Sequence, residues 1–342
     1  MRYGRSDGIR LAGGSVNGDS AVYLLAIPLD VDSAALEAYT RIVRDFYVAG
    51  RRIADDEPAW VCAELGSNHM GDIHIAHRMI DAAAQAGVDA VKGQKRDLDT
   101  FLTKEEYDAP YVNENSYGTT YGEHRERLEL SIEQHGELMD HAHRLGLAYG
   151  CTAFDGPSMR QLAEIGVDFF KLASGAITDS GLLFKAHQWG HGFNKAPPTI
   201  LSTGGATAEE IWEADDIMGI APHALLHCTS LYPCPPDKLN LRAIQTLRDG
   251  FTNIVIGFSD HQDGIDMAAV AFLLGARIFE KHFTLDRSAK GTDHAMSLEL
   301  AGMAAYVRTL RRIPEALGDG IKRLLPEEIP ALRKQGRRTF DV

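Results

Sequence analysis

The sequence predicts an α/β protein built as a (β/α)8 TIM barrel, preceded by an N-terminal extension and a β-hairpin. Three observations carry this. From residue 59 onward, eight short apolar runs alternate with longer amphipathic stretches. The runs are almost continuously apolar, the mark of parallel strands buried on both faces. An open doubly wound sheet would instead need a glycine-rich phosphate turn, and GxGxxG and GxxxxGKS/T are both absent.

Residues 1–46 read as an extension with a strand at Val22–Ile27 and a helix at Ala34–Phe46, and residues 47–58 (YVAGRRIADDEP) as a hairpin. The barrel is expected over 47–318. Its first four strands fall at Ala59–Glu64, Ala90–Gln94, Leu147–Phe154 and Phe169–Ser174. The other four fall at Pro198–Thr203, Ala224–Ser230, Ile254–Asp260 and Arg277–Phe283. Asp72 caps a helix whose apolar face repeats at Ala76, Met79, Ile80, Ala83 and Ala84, ended by Gly87. Ser131 with Gln134, and Thr207 with Glu210, have capping-box spacing. Further helices are expected at Ser158–Ile165, Gly181–Trp189, Leu239–Asp249, Ile265–Leu274 and Leu298–Leu317. The long loop from Lys95 to Leu130 reads as a lid over the barrel mouth, and residues 319–342 as a polar, helical tail.

Composition narrows the function. The chain has 342 residues, 44% of them hydrophobic, which excludes disordered and fibrous classes. A net charge of −13 argues against nucleic acid as a partner. It leaves room for an anionic small molecule in a local cluster of Lys, Ser and His. No apolar run reaches the roughly 18 residues of a membrane span, and the N-terminus lacks a signal-peptide core. The four cysteines form no disulfide framework and no zinc spacing. A cytoplasmic protein is expected.

Catalytic groups of such barrels come from the C-terminal strand ends, and here every strand end is polar. In order they offer Glu64 with Asn68 and His69, Lys92 and Gln94, Thr152, Lys171 and Ser174, and Ser202 with Thr203. His227, Ser230 and Tyr232 follow, then Ser259-Asp260-His261 and Glu280-Lys281-His282. Lys92 and Lys171 would repel each other across the mouth unless an anion sat between them. With the hydroxyls of Thr152, Ser174, Ser202 and Ser259 they suit a phosphate or carboxylate. His261 and His282 end adjacent strands and could share a Lewis-acid divalent ion. Taken singly, each such residue is as often a structural or capping group; the joint pattern marks a working mouth.

The motifs AELGSNHMG (63–71), VKGQ (91–94), KLASG (171–175) and ILSTGGAT (200–207) resemble the sialic acid synthase (N-acetylneuraminate synthase) family. So do LLHCTSLYPCPP (225–236), GFSDH (257–261) and EKHFTLDR (280–287), the match covering 47–317. The resemblance implies a transferase that condenses phosphoenolpyruvate with N-acetylmannosamine or a related aldose, giving a 3-deoxy nonulosonic acid and phosphate. It implies Lys92, Thr152, Lys171, Ser174, Ser202 and Ser259 on phosphoenolpyruvate, and Mn2+ or Mg2+ on His261 and His282. Glu64, Gln94, Tyr232 and Asp293 would face the sugar, with Ser230 standing where the family usually has an asparagine. Glu64, Lys92, Lys171 and Asp293 are the expected catalytic set.

Some positions depart from the family pattern. Ala176 replaces a glutamate that handles protons, help typically worth about 10²–10⁴-fold; Asp179, Glu123 and His124 are candidate substitutes. Gly93 replaces a phenylalanine and is expected to open space beneath the sugar or lid, where Glu123, His124 and Arg125 are expected to line the mouth. The family's C-terminal antifreeze-protein-like domain donates an arginine to the partner subunit; that domain would begin about Arg337-Arg338-Thr339, and this sequence ends at Val342. A homodimer would then need another interface, with residues 1–46 as the candidate. A non-catalytic phosphoenolpyruvate- and sugar-binding paralogue, and a lyase or aldolase with a Schiff-base lysine, stay open as alternatives.

Overall fold

The structure is a computed structural model and describes residues 44–192, 197–337 and 339. The strand expected at Val22–Ile27 and most of the helix expected at Ala34–Phe46 lie outside these residues. Asp45 and Phe46, placed at the end of that helix from sequence, are instead in a strand. The hairpin pairs β1 (Asp45–Val48) antiparallel with β2 (Arg51–Ala54), so it starts two residues earlier than its apolar pattern suggested.

Eight parallel strands then close a barrel: β3 (Trp60–Glu64), β4 (Ala90–Lys95), β5 (Ala148–Ala153), β6 (Phe169–Leu172), β7 (Thr199–Ser202), β8 (His223–Cys228), β9 (Ile256–Asp260) and β10 (Ile278–His282). Closure sets His282 of β10 opposite Glu64 of β3. Helices fill the connections as the capping signals foretold. Asp72 accepts from the His74 and Ile75 amides to start α1 (Ile73–Ala86), which Gly87 ends at φ 84°. The loop expected over Lys95–Leu130 is more regular than its composition suggested. It contains α2 (Leu98–Phe101), α3 (Lys104–Asp108) and α4 (Tyr121–Leu128), the last two opened by capping boxes.

The outer layer continues with α5 (Ile132–Arg144), α6 (Gly156–Ile165), α7 (Ser180–Gly192), α8 (Ala208–Met218), α9 (Ala243–Gly250), α10 (Met267–Leu273) and α11 (Leu300–Leu317). A short α12 (Ile329–Lys334) lies in the tail. Among the described residues, no helix is long and apolar enough to cross a membrane.

Two devices position the site. At the N-terminal end of the barrel, Phe46, Val48 and Ile53 of the hairpin pack with Trp60, Phe169 and Ile278 as a buried plug. Phe169 fills the interior there; a Cβ on Gly150 would lie 2.2 Å from its ring, so this strand position requires glycine. Ion pairs fasten the plug: Asp55 takes both Arg44 and Arg248. With that end filled, the opposite end alone of the barrel interior is left for polar side chains.

Candidate active site

The C-terminal ends of the strands surround a cavity of about 540 Å³. It is lined by twelve of the thirteen residues expected from sequence; Ser230 is the exception. Strand β8 stops at Cys228, whose Sγ takes the inward position beside Ser174 Oγ (3.4 Å) and His261 Nδ1 (3.7 Å). Ser230 therefore lands beyond the strand, exposed on the rim near Gly204. Ser174 also lies past its strand, in a short 3-10 turn, but turns inward and accepts from the Gly204 amide at 3.1 Å.

At the base of the cavity the two lysines differ. Lys92 donates to Thr152 Oγ1 (2.9 Å), is ion-paired with Glu64, and has Glu280 Oε2 at 3.6 Å. Burial opposes its charge, but Glu280 and Glu64 outweigh that and hold its pKa above the ordinary lysine value. Lys171 donates to Ser202 Oγ (2.7 Å) and to the Leu172 carbonyl (2.8 Å). Among the described residues, no carboxylate pairs with it, and burial pulls its pKa below the lysine value. The two lysines were expected to repel each other unless an anion sat between them; Glu280 of the protein itself is that anion, 3.6 Å from Lys92 and acting on Lys171 from beyond direct contact.

Glu280 is the residue that sequence reading passed over. It accepts from Ser259 Oγ at 2.9 Å and stands between the lysines. Burial would raise its pKa, yet Lys171 and Lys92 hold it down to about 2. It was visible as a strand end next to a histidine, but only barrel closure brings β10 within reach of β4.

Glu64, Gln94 and Asp293 converge on the opposite side. All three approach the place where a Cβ on Gly66 would stand, at 3.5, 3.6 and 3.4 Å respectively. Gly66 has φ 54°, so its backbone favours glycine, although a Cβ there would meet these three side chains only at ordinary contact distance. Gln94 Nε2 donates to Glu64 Oε1 at 2.6 Å.

His261 and His282 have ring centroids 5.6 Å apart, and Tyr232 lies 4.1 Å from the His261 ring. His261 donates Nδ1–H to the Thr229 carbonyl at 2.9 Å, which leaves the lone pair on Nε2. His282 Nδ1 is buried without a hydrogen-bond partner, with Asp293 Oδ2 at 3.7 Å. Both imidazoles thus fit a divalent ion as a pair. Among the described residues, no compact group of three His, Cys, Asp or Glu side chains forms such a site.

Other strand-end residues turn away. Asp260 and Lys281 pair at 3.2 Å, buried on the helix side of the barrel, because strand alternation sends neighbours of inward residues outward. His227 donates to the Leu239 carbonyl and His69 accepts from the Gly71 amide, whereas Asn68, held by its bonds to Phe283 O and Ser297 Oγ, lines the cavity.

The lid covers the mouth. Asn115 accepts from the Gly291 amide, Tyr117 donates to the Lys290 carbonyl, and His124 and Arg125 line the cavity. Glu123 does not, because its carboxylate caps α4 through Thr119 and Thr120. Asp179 is likewise committed, accepting from the Leu182 amide in the first turn of α7. Gly93 does not open toward the sugar; the space beside it holds a hydrogen-bonded pair, His135 Nδ1 and Tyr149 Oη at 2.8 Å.

The model of the NeuB family matches residues 79–322. This chain belongs to the NeuB family. It is 36% identical over 290 residues to the N-acetylneuraminate-9-phosphate synthase of Mus musculus, covering 84% of this chain and 79% of that one. It is 38% identical over 274 residues to the N,N'-diacetyllegionaminic acid synthase of Campylobacter jejuni, covering 78% and 80%. The crystal structure of the N-acetylneuraminic acid synthetase from Leptospira borgpetersenii, solved with citrate, superposes with a TM-score of 0.71 at 32% identity, covering 86% and 96%. The family resemblance and the barrel expected from sequence therefore both hold.

Proposed function

We propose that this chain condenses phosphoenolpyruvate with an aldose, N-acetylmannosamine or a related sugar, to give a 3-deoxy-2-ulosonic acid and inorganic phosphate. The observation that carries the reading is Lys171, a buried lysine with no carboxylate in direct contact, facing a hydroxyl-lined cavity. Glu280 offsets its charge only from a distance, and an anionic substrate supplies the direct partner that a buried charge calls for. The names of the mouse and Campylobacter relatives, both sugar-acid synthases, support the same reaction class.

Lys171 and Ser202, with Ser174 and the Gly204 amide beside them, would hold phosphoenolpyruvate, with Lys92, Thr152 and Ser259 completing the cradle. His261 and His282 would hold Mn2+ or Mg2+, which when bound supplies Lewis-acid polarisation of the aldehyde. Carbon 3 of the enol attacks the aldehyde carbon, forming the C–C bond as the aldehyde oxygen takes a proton. Water adds at carbon 2, the C–O bond breaks and phosphate leaves. The cavity carboxylates are Glu64, Glu280 and Asp293. The first two are tied to Lys92, so Asp293, in contact with the Thr292 hydroxyl at 2.9 Å, is placed to exchange a proton with the aldose oxygen. That role offsets the alanine at 176.

The test is phosphate release from phosphoenolpyruvate with a panel of aldoses and a divalent ion, N-acetylmannosamine and its 6-phosphate included. Release with at least one aldose is expected, at one phosphate per C–C bond formed. Silence across the panel would sink the proposal.

A further inference from the structure

We propose that Arg96 is a positioning residue that sets the orientation of the Gln94 amide against Glu64 and ties that setting to the lid. The inference rests on the proposed condensation, in which Gln94 faces the aldose.

Arg96 stands just past β4 and is only 5% exposed. Its guanidinium lies over the Phe154 ring, 3.7 Å from the centroid. One arm, Nη1, donates to Glu129 Oε1 at 3.1 Å, while the Arg96 amide donates to Glu129 Oε2 at 3.0 Å. The other arm, Nη2, donates to Gln94 Oε1 at 2.8 Å. Gln94 then donates through Nε2 to Glu64, which is paired with Lys92. Glu129 is the residue that closes the C-terminal end of lid helix α4. A continuous polar chain thus runs from lid to reacting centre.

The placement is unfavourable on its own terms. Burial and the neighbouring Arg125 both disfavour the Arg96 charge, and its Nε is buried without a partner. An apolar side chain would pack against Phe154 and Phe101 without that cost. What arginine supplies is direction, imposed on the Gln94 amide from the side opposite the Glu64 carboxylate. A glutamine amide can turn over and present either oxygen or NH2. A guanidinium only donates, so it accepts one answer: Gln94 Oε1 toward Arg96, Nε2 toward Glu64. Turned over, Gln94 would set its oxygen against the Glu64 carboxylate. Lysine cannot hold Glu129 and Gln94 together with the same planar fork.

A double-mutant cycle of Arg96→Met and Gln94→Ala tests this, read as kcat/KM for the aldose and, separately, phosphoenolpyruvate affinity by calorimetry. Arg96→Met should lower kcat/KM for the aldose about 10–100-fold with Gln94 present. In the Gln94→Ala background the same change should cost no more than about twofold. Phosphoenolpyruvate affinity should stay within that margin throughout. Equal losses in both backgrounds, or phosphoenolpyruvate affinity falling in step, would overturn the proposal, as would full rescue by Arg96→Lys. Should the unaltered chain release no phosphate with any aldose, the condensation itself fails. The positioning role is then read from the Gln94 side-chain amide resonance. It must shift in Arg96→Met, and an unmoved resonance overturns the proposal.

Discussion

Lys92 and Lys171 are the same residue type at the same kind of strand end, yet they meet opposite surroundings. Lys92 is paired with Glu64 and flanked by Glu280, whereas Lys171 reaches only hydroxyl and carbonyl oxygens. That difference predicts two measurable properties of one variant. Lys171→Met should weaken phosphoenolpyruvate binding about 10–100-fold, the worth of a hydrogen bond to a charged group. It should also destabilise the free protein, because the buried Glu280 loses the lysine that does most to hold it charged. Calorimetric titration and thermal unfolding read the two effects. A Lys171→Met chain that keeps its stability and binds phosphoenolpyruvate normally would contradict both.

At the scale of elements, strand alternation and helix packing sort the polar residues. Alternation put Glu280 and His282 into the cavity and Lys281 behind it, so three successive polar residues have two fates. The packing of α5 on β4 and β5 explains Gly93: helix and strands deliver His135 and Tyr149 to the space a larger side chain would take. Burial first, then the nearby Lys95, lowers the His135 pKa from 6.5 to about 3. Between those values the unfolded chain binds a proton that the folded chain refuses. The associated stability is present above pH 6.5 and is lost as pH falls through the window toward 3. His135→Gln should therefore flatten the dependence of stability on pH between about 6.5 and 3, as followed by denaturant unfolding. An unchanged slope would show that His135 is not the group responsible.

At the scale of the molecule, the barrel is filled at one end and open at the other. The hairpin plug and Phe169 close the N-terminal end, and the lid arches over the polar end by holding Lys290 and Gly291. The net charge of −13 belongs to the chain as a whole, while the base of the cavity concentrates lysines and hydroxyls. Phosphoenolpyruvate should accordingly stabilise the folded protein by mass action, by about 2.7 kcal/mol at 100 times its Kd. Differential scanning calorimetry measures this. Stabilisation without consumption on any aldose would mark a binding paralogue, and neither effect would remove the anion site altogether.

The sequence by itself determined the barrel, the order of its eight strands and the composition of the mouth. These depend on local periodicity and capping, which a linear chain displays directly: the Asp72, Ser131 and Thr207 caps all formed where their spacing placed them. Strand ends were less legible. Ser230 lies past the end of β8 because backbone pairing stops at Cys228, two residues short of the strand end expected from sequence. The sequence also could not show which charges meet, since Glu280 and Lys92 are joined only when β10 closes on β3. Nor could it show that Glu123 and Asp179 are taken by helix ends, or that Arg96 reaches from the lid to Gln94. Pairings of that kind belong to the tertiary structure, because they depend on side chains distant in sequence sharing a few ångströms of buried space, where one counter-ion or one hydrogen bond decides a group's charge and orientation.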